Sequence, residues 1–182
     1  MKAQLLTIGM TLVLGLPVTA AAQGRTPHTD AGAIGAEVGV FLPRQSGMTT
    51  GPEVDGFYEY YMNARNSLRV GGGWANPKQS ANSNARTRQV RFGVDLIHNW
   101  EGGSVHPFVG AGLGTYFLQP RVNGTNVGSN ATKLGGTLLG GAEFFTSKTF
   151  SVKGEARYNL VSKSGAYDPS GLSLTIGVKS YF

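Results

Sequence analysis

Charged side chains of both signs alternate with apolar residues along this chain, and their types and spacing could support chemistry. A pair of carboxylates such as Glu53 and Asp55 could serve general acid–base catalysis. Arginines and lysines share the same pattern, however, and mixed signs favour mutual neutralisation over a catalytic pair. We therefore predict no catalytic residue in the set Glu37, Glu53, Asp55, Glu59, Arg69, Arg91, Asp95, Glu143, Lys153, Glu155, Arg157 and Lys179.

Nucleophilic, metal and cofactor chemistry lack the residues that they usually need. The chain has no Cys and three His, which are His28, His98 and His106, and no His-Glu-x-x-His motif is present. The glycine run at 110–114 lacks the third glycine and the following helix of a dinucleotide-binding loop. The sequence therefore predicts a protein that is not an enzyme and that binds neither metal nor cofactor.

The charges lie in segments where polar and apolar residues alternate, which is typical of strands with one apolar face. Clusters of Gly, Asn, Ser and Pro separate these segments, and Gly alone accounts for 28 of the 182 residues. The predicted strands span residues 31–41, 53–62, 67–75, 88–97, 107–118, 133–145, 150–160 and 171–182.

The last segment predicts a strand at the end of the sequence, with Leu174, Ile176 and Val178 on one face. Such a strand is an exposed edge unless it pairs with the first strand and closes a barrel. The number of segments is even, and each is close to the ~9–11 residues of a tilted transmembrane strand. The predicted fold is an all-β, eight-stranded antiparallel up-and-down transmembrane β-barrel over residues 31–182.

The predicted connections alternate in length, which orients the barrel. Long ones at 42–52, 76–87, 119–132 and 161–170 are expected outside the cell, and short ones at 63–66, 98–106 and 146–149 in the periplasm. The apolar faces should meet lipid, and the charges should fill the lumen as a network. Aromatic residues near strand ends predict girdles at the two interfaces: Phe41, Tyr58, Tyr60, Trp74, Trp100, Phe117, Phe144, Phe150, Tyr158, Tyr181 and Phe182.

The N-terminal residues 1–22 predict a secretory signal peptide. Lys2 precedes an apolar run at 5–18, and Ala20–Ala22 supplies small residues for cleavage. The run is shorter than the roughly 20 residues that span a bilayer. Residues 23–30 would then form a short periplasmic N-terminal segment. No other apolar stretch suits a transmembrane helix, so strands must do any spanning, in the outer membrane.

Three motifs resemble strands of small outer-membrane barrels. Pro107–Gly114, followed by Tyr116, is similar to the fifth strand of OmpA-type barrels, and Gly140–Phe144 and Gly154–Tyr158 resemble their sixth and seventh strands. The chain thus resembles the OmpA/OmpX-like family of small outer-membrane β-barrel proteins, over the barrel domain only, without a periplasmic peptidoglycan-binding domain. Phe182 resembles the signal that the outer-membrane assembly machinery recognises, and we expect a monomer.

The resemblance also bears on catalysis. Eight-stranded barrels that modify lipid A carry their catalytic His and Ser toward the outer leaflet, whereas His98 and His106 flank a predicted periplasmic turn. A lipid A-modifying enzyme is therefore the least favoured alternative.

Basic residues concentrate on the predicted outer loops and strand rims, opposed by Asp168 alone: Arg44, Lys78, Arg86, Arg88, Arg121, Lys133 and Lys163. They are either solvated loop charges or a crown that binds polyanions such as lipopolysaccharide phosphates. Secretion and diluted charge exclude nucleic acid as a partner.

We expect a structural or surface-interaction role, with outer-membrane lipid and lipopolysaccharide as partners. The alternative is a narrow channel or a conduit for small or apolar solutes. The inner glycines of the fifth strand could leave a cavity, although an eight-stranded barrel is only wide enough for side chains.

Overall fold

The computed structural model describes residues 27–182 except 83, 102 and 166. The predicted signal peptide, residues 1–22, and the first part of the predicted segment 23–30 lie outside the described residues. Within that part of the chain, no helix is long and apolar enough to cross a membrane.

Eight long antiparallel strands make up the fold. They are β1 (Gly32–Pro43), β2 (Gly51–Tyr61), β3 (Asn66–Ala75), β4 (Ala85–Asn99), β5 (Val105–Val122), β6 (Ala131–Phe145), β7 (Phe150–Val161) and β8 (Gly171–Tyr181). Two-residue strands at Met48–Thr49, Lys78–Gln79 and Thr125–Asn126 lie in three of the four long loops.

The sheet closes on itself, as the sequence predicts. Each strand pairs with its neighbours in the chain, and β1 also pairs with β8, so that Glu37 lies opposite both Asp55 and Gly177. Phe182 continues this seam, because its amide donates to the Gly32 carbonyl over 3.0 Å. Closure leaves no exposed strand edge, and the eight-stranded antiparallel barrel is confirmed.

The alternation of the sequence sets which face each side chain takes. In β2, buried and exposed residues alternate at every position. Leu113 and Ile176 are 76% and 65% exposed on the outer wall, whereas charged residues of the opposite face, such as Glu37 and Lys179, are buried within. The apolar surface of this molecule is therefore its outside.

The strands differ from prediction mainly at their ends. β4 and β5 extend beyond the predicted 88–97 and 107–118, since their ladder continues through polar residues as far as Ala85 opposite Val122. The extended end of β5 is followed by a two-residue turn to the short strand Thr125–Asn126. In this turn Asn123 and Gly124 have φ of 51° and 81°, as tight hairpins require. Apolar alternation had stopped earlier, so it could not mark these ends.

The aromatic girdles are mostly placed as predicted, with two corrections. Tyr58, Phe117 and Phe144 are exposed on the outer wall. Phe41 and Tyr181, however, belong to the inner face, because they share the parity of Glu37 and Lys179 in their strands. Phe41 is 2% exposed. A position near a strand end therefore indicated the outer wall less reliably than the alternation of inward and outward residues along the strand.

Candidate functional site

The barrel interior holds the densest set of functional groups in the described residues. All twelve charged residues that the sequence predicts for the lumen lie inside, and none is more than 7% exposed. Eleven of them, all except Glu53, form three clusters that follow one another from the end with the short turns to the end with the long loops.

The basal cluster consists of Lys179, Glu59 and Glu143. Lys179 Nζ lies 3.2 Å from Glu59 Oε2 and 2.8 Å from Glu143 Oε2, and it donates to the Tyr61 hydroxyl over 2.8 Å. Ser67 donates its hydroxyl to Glu59 over 2.6 Å. Lys179 therefore bridges a carboxylate of β2 and a carboxylate of β6, two strands that do not pair with each other.

The central cluster, made of Arg69, Glu155, Lys153 and Glu37, crosses the full lumen. Arg69 on β3 donates to Glu155 on β7 over 2.6 Å, and these strands lie on opposite walls of the ring. Lys153 completes the cluster by contacting both Glu155, over 2.7 Å, and Glu37.

Two aromatic rings enclose the central cluster. Arg69 Cζ lies 4.4 Å from the centre of the Phe57 ring, and Lys153 Nζ lies 4.7 Å from the same ring. Phe108 flanks both cations on another strand, at 5.9 Å and 5.1 Å. The ring faces add cation–π attraction and exclude water from the ion pairs.

The upper cluster consists of Arg91, Arg157, Asp55 and Asp95. Arg91 donates to Asp55 over 2.6 Å. Arg157 lies 3.6 Å from Asp95 and 3.9 Å from Asp55, and it donates to Glu155 of the central cluster over 2.6 Å. Arg157 therefore links two clusters and three strands.

Glu53 lies inside as predicted but outside the ion pairing. Its Oε1 accepts a hydrogen bond from Ser173 over 2.9 Å, and among the described residues no cation lies within 4.0 Å of it. Its Oε2 is buried and has no hydrogen-bond partner in the described part of the chain. Sequence reasoning grouped Glu53 with the network by parity, which gives the face of a residue but not its partners.

The sequence predicted the charged members of the lumen network but not the neutral side chains that contact them. Phe57, Phe108, Ser67 and Thr137 contact the charges and share their parity along the strands. Alternation along a strand indicates that such residues face the lumen, but it does not show which of them contact the charges.

Little space remains inside this barrel. A cavity of about 10 Å³ is lined by Phe41, Glu53, Gln89 and Tyr116, among others. The space beside the inner glycine Gly112 of β5 is occupied, because a Cβ placed there would collide with Asp95. The lumen is filled by side chains.

The basic residues predicted for the outer crown separate into different environments. Arg44 and Lys163 lie in loops and act on Asp168. Burial raises the pKa of Asp168, but hydrogen bonds from Ser170 and the charges of Arg44 and Lys163 outweigh it and hold that pKa below its usual value. These two cations have a carboxylate near them.

The other five are placed differently. Arg86, Arg88 and Arg121 lie on the outward face of the rim, and Lys78 pairs in register with Arg86. Lys133 is opposite Tyr116, whose side chain is buried inside the barrel. The structure thus brings together four of the seven predicted basic residues: Lys78, Arg86, Arg88 and Arg121.

The histidines lie at the end with the short turns. His98 contacts the Asn66 amide oxygen at 2.9 Å, and His106 lies 3.0 Å from the Gly103 carbonyl. His28 is exposed near the start of the described chain. Across residues 27–182 as described, no three His, Asp or Glu side chains are arranged to hold a metal ion.

Comparison with solved structures identifies proteins with the same architecture. Neisserial surface protein A (NspA) has a TM-score of 0.69 at 17% identity, over 84% of this chain and 97% of that one. The N-terminal β-barrel domain of Pseudomonas aeruginosa OprF has a TM-score of 0.63 at 13% identity, over 85% and 98%. These likenesses show the fold.

A third similar structure is Ail, the attachment invasion locus protein of Yersinia pestis, in complex with the heparin analogue sucrose octasulfate. Its TM-score is 0.52 at 14% identity, over 85% of this chain and 99% of that one. No curated protein sequence matches the chain significantly.

The family described as outer membrane protein beta-barrel domain matches residues 8–182, which is nearly the whole sequence. The closed barrel, its apolar outer wall and its similarity to NspA and OprF agree with that match and with a location in the Gram-negative outer membrane. This chain belongs to the outer membrane protein beta-barrel family.

Proposed function

We propose that this protein is a sealed outer-membrane barrel with a structural and surface-interaction role, exercised at its loops and outer wall. The observation that carries the proposal is the contact between Arg69 and Glu155, which joins opposite walls at 2.6 Å. A solute crossing the membrane through the lumen would have to separate these two buried charges, and a buried ion without its partner costs several kcal/mol.

The filled interior further supports a sealed lumen over a narrow channel. The cavity near Glu53 measures about 10 Å³, which is room for about one water molecule. Phe57 and Phe108 narrow the passage around the central cluster from two strands.

Conductance of the purified, refolded protein in a planar lipid bilayer tests the proposal. The wild-type protein should insert without stable single-channel steps. A double substitution of Arg69 and Glu155 by Ala removes both ends of the crossing pair, leaves no new net charge and should admit water and ions. Stable unitary currents from the wild-type protein would establish the channel alternative.

A catalytic role is not part of the proposal. His98 and His106 lie at the end with the short turns, which is periplasmic in barrels of this kind. Substituting each by Ala should leave the lipid composition of the membrane unchanged, and altered lipid A in cells that express the wild-type protein alone would contradict this.

The outer basic residues support polyanions as the class of surface partner. Four of the seven lie together at the rim, and exposed cations attract anions over about 8–10 Å at physiological ionic strength. The Ail structure in complex with sucrose octasulfate shows that a barrel of similar fold takes a sulfated ligand. Binding of refolded protein to a sulfated polysaccharide across a salt series tests this, and affinity that ignores salt would contradict it.

A further inference from the structure

The outward face of the barrel carries a row of cations without counter-charges. In β4, Arg86 and Arg88 alternate with the buried residues Ala85, Thr87 and Gln89, so both lie on the outer wall. Arg86 is directly opposite Arg121 of β5 on one side and Lys78 on the other. Like charges at opposed positions of a sheet are destabilising.

The row has no acidic partner in the part of the chain that the structure describes. Among the described residues, none of Lys78, Arg86, Arg88 and Arg121 forms an ion pair within 4.0 Å, in contrast to the cations of the lumen. The sequence before residue 27 contains no Asp or Glu. A counter-charge in direct contact with these cations would therefore come from outside the chain.

These arginines line a cleft that is built to donate hydrogen bonds to a ligand. The wall cleft, formed by Trp74, Arg86, Arg88, Arg121, Asn84 and Asn123, has a volume of about 600 Å³. The Nε atoms of Arg88 and Arg121 are buried, and neither has an acceptor among the described residues. A buried donor without an acceptor is costly, and an anionic oxygen would satisfy it with a charge-assisted bond.

The cleft lies directly above the lipid-facing band. Two residues from Arg88 and Gln119 toward the middle of the barrel wall lie the paired residues Trp74, Val90 and Phe117. Phe92 lies two residues beyond Val90 on the same face. Phe92 is 58% exposed on the outer wall. Two residues along a strand span about 6.6 Å. The cations therefore lie about that distance from the apolar band, at the level where lipid headgroups meet acyl chains.

We propose that the wall cleft binds the phosphorylated headgroup of a glycolipid in the outer leaflet, with its acyl chains against Phe92 and Phe117. Arg88 and Arg121 donate to phosphate oxygens, Arg86 and Lys78 supply the remaining charge, and Trp74 packs at the headgroup level. The proposal deepens the surface-interaction role proposed above, because it assigns the partner to the plane of the membrane rather than to the solvent.

Tryptophan fluorescence offers a direct test, because the protein has two Trp residues and only Trp74 lines the cleft. In a Trp100→Phe background, refolded protein in detergent micelles is titrated with diphosphorylated lipid A, with its dephosphorylated form, and with free pyrophosphate. Trp74 emission should respond to the phosphorylated lipid, more weakly to the dephosphorylated form, and not to pyrophosphate at the same concentration.

A matched pair of double variants assigns the site. Arg88→Gln with Arg121→Gln should weaken binding of phosphorylated lipid A by about tenfold or more. Arg44→Gln with Lys163→Gln removes the same charge from the loops and should change it by less than about twofold. The cleft variant should also show a shallower dependence of affinity on salt. Unchanged mobility on unboiled gels establishes that each variant is folded.

Three results would overturn the proposal: equal loss in both double variants, equal affinity for lipid A with and without phosphate, or pyrophosphate binding as tight as the lipid. Binding of a sulfated polysaccharide without lipid A binding would also overturn it while leaving polyanion binding at the loops intact. Neither double variant alters the lumen, so bilayer conductance of the same samples reports separately on the sealed barrel.

Discussion

Arg157 shows how single residues in this lumen depend on several partners at once. Its guanidinium contacts Glu155, Asp95 and Asp55, which come from three strands. Because these carboxylates are buried, the contribution of Arg157 lies in their neutralisation more than in any one bond.

Replacing Arg157 with Leu should lower the free energy of unfolding by about 3–5 kcal/mol, since carboxylates would be left buried with less compensating charge. Reversible unfolding in denaturant, with the protein in lipid vesicles, measures this change. Lys148→Leu in the exposed turn 146–149 is the control and should shift the value by no more than about 0.5 kcal/mol. Equal effects from the two substitutions would mean that the ion pairs of the lumen add nothing to the free energy of unfolding beyond what an exposed charge adds.

At the scale of the strands, alternation predicted the eight elements and their inner and outer faces, because one wall meets lipid and the other is polar. It did not predict the ends of β4 and β5, where polar residues such as Arg86 and Arg121 still pair in register. It also could not tell that Arg69 meets Glu155, because a contact across the lumen depends on strand stagger and tilt rather than on parity.

The seam between β1 and β8 has no space for an added methyl group at Gly39. A Cβ there would meet the backbone of β8, with Thr175 Cα at 2.7 Å. Gly39→Ala should therefore destabilise the barrel by about 1–3 kcal/mol, as overpacking does, in the same vesicle unfolding assay.

Gly154 in β7 provides the matched control for the seam. A Cβ at this position meets nothing within 4 Å. Gly154→Ala should be neutral or stabilise by up to about 1 kcal/mol through a less flexible unfolded chain. If both glycines tolerate Ala equally, the close approach at the seam does not limit stability.

The outer face of β8 should show a dependence on membrane depth. Ile176, at the middle of the strand and 65% exposed, should face hydrocarbon, so Ile176→Arg should cost about 2–4 kcal/mol. Ser180→Arg, near the end of the same strand, should cost about 0–1 kcal/mol. A reversed order of the two costs in vesicle unfolding would contradict the assigned depth.

At the scale of the whole molecule, closure satisfies the strand hydrogen bonds internally, and such barrels have no edge at which unfolding can begin. The folded protein should therefore survive SDS at room temperature and migrate differently from a boiled sample. Gel electrophoresis with and without boiling checks this, and Ile176→Arg should reduce the folded band. Identical mobility of boiled and unboiled wild-type protein would contradict it.

The buried charges of the lumen also make the two halves of the chain electrostatic complements. Strands β1–β4 bury five carboxylates with two cations, whereas β5–β8 bury two carboxylates with three cations. A half-barrel would carry uncompensated charge, at several kcal/mol for each ion in hydrocarbon, so closure and entry into the bilayer should coincide. Fragments divided within 100–104 should accordingly reassemble with each other when co-expressed, while two copies of the N-terminal fragment should repel.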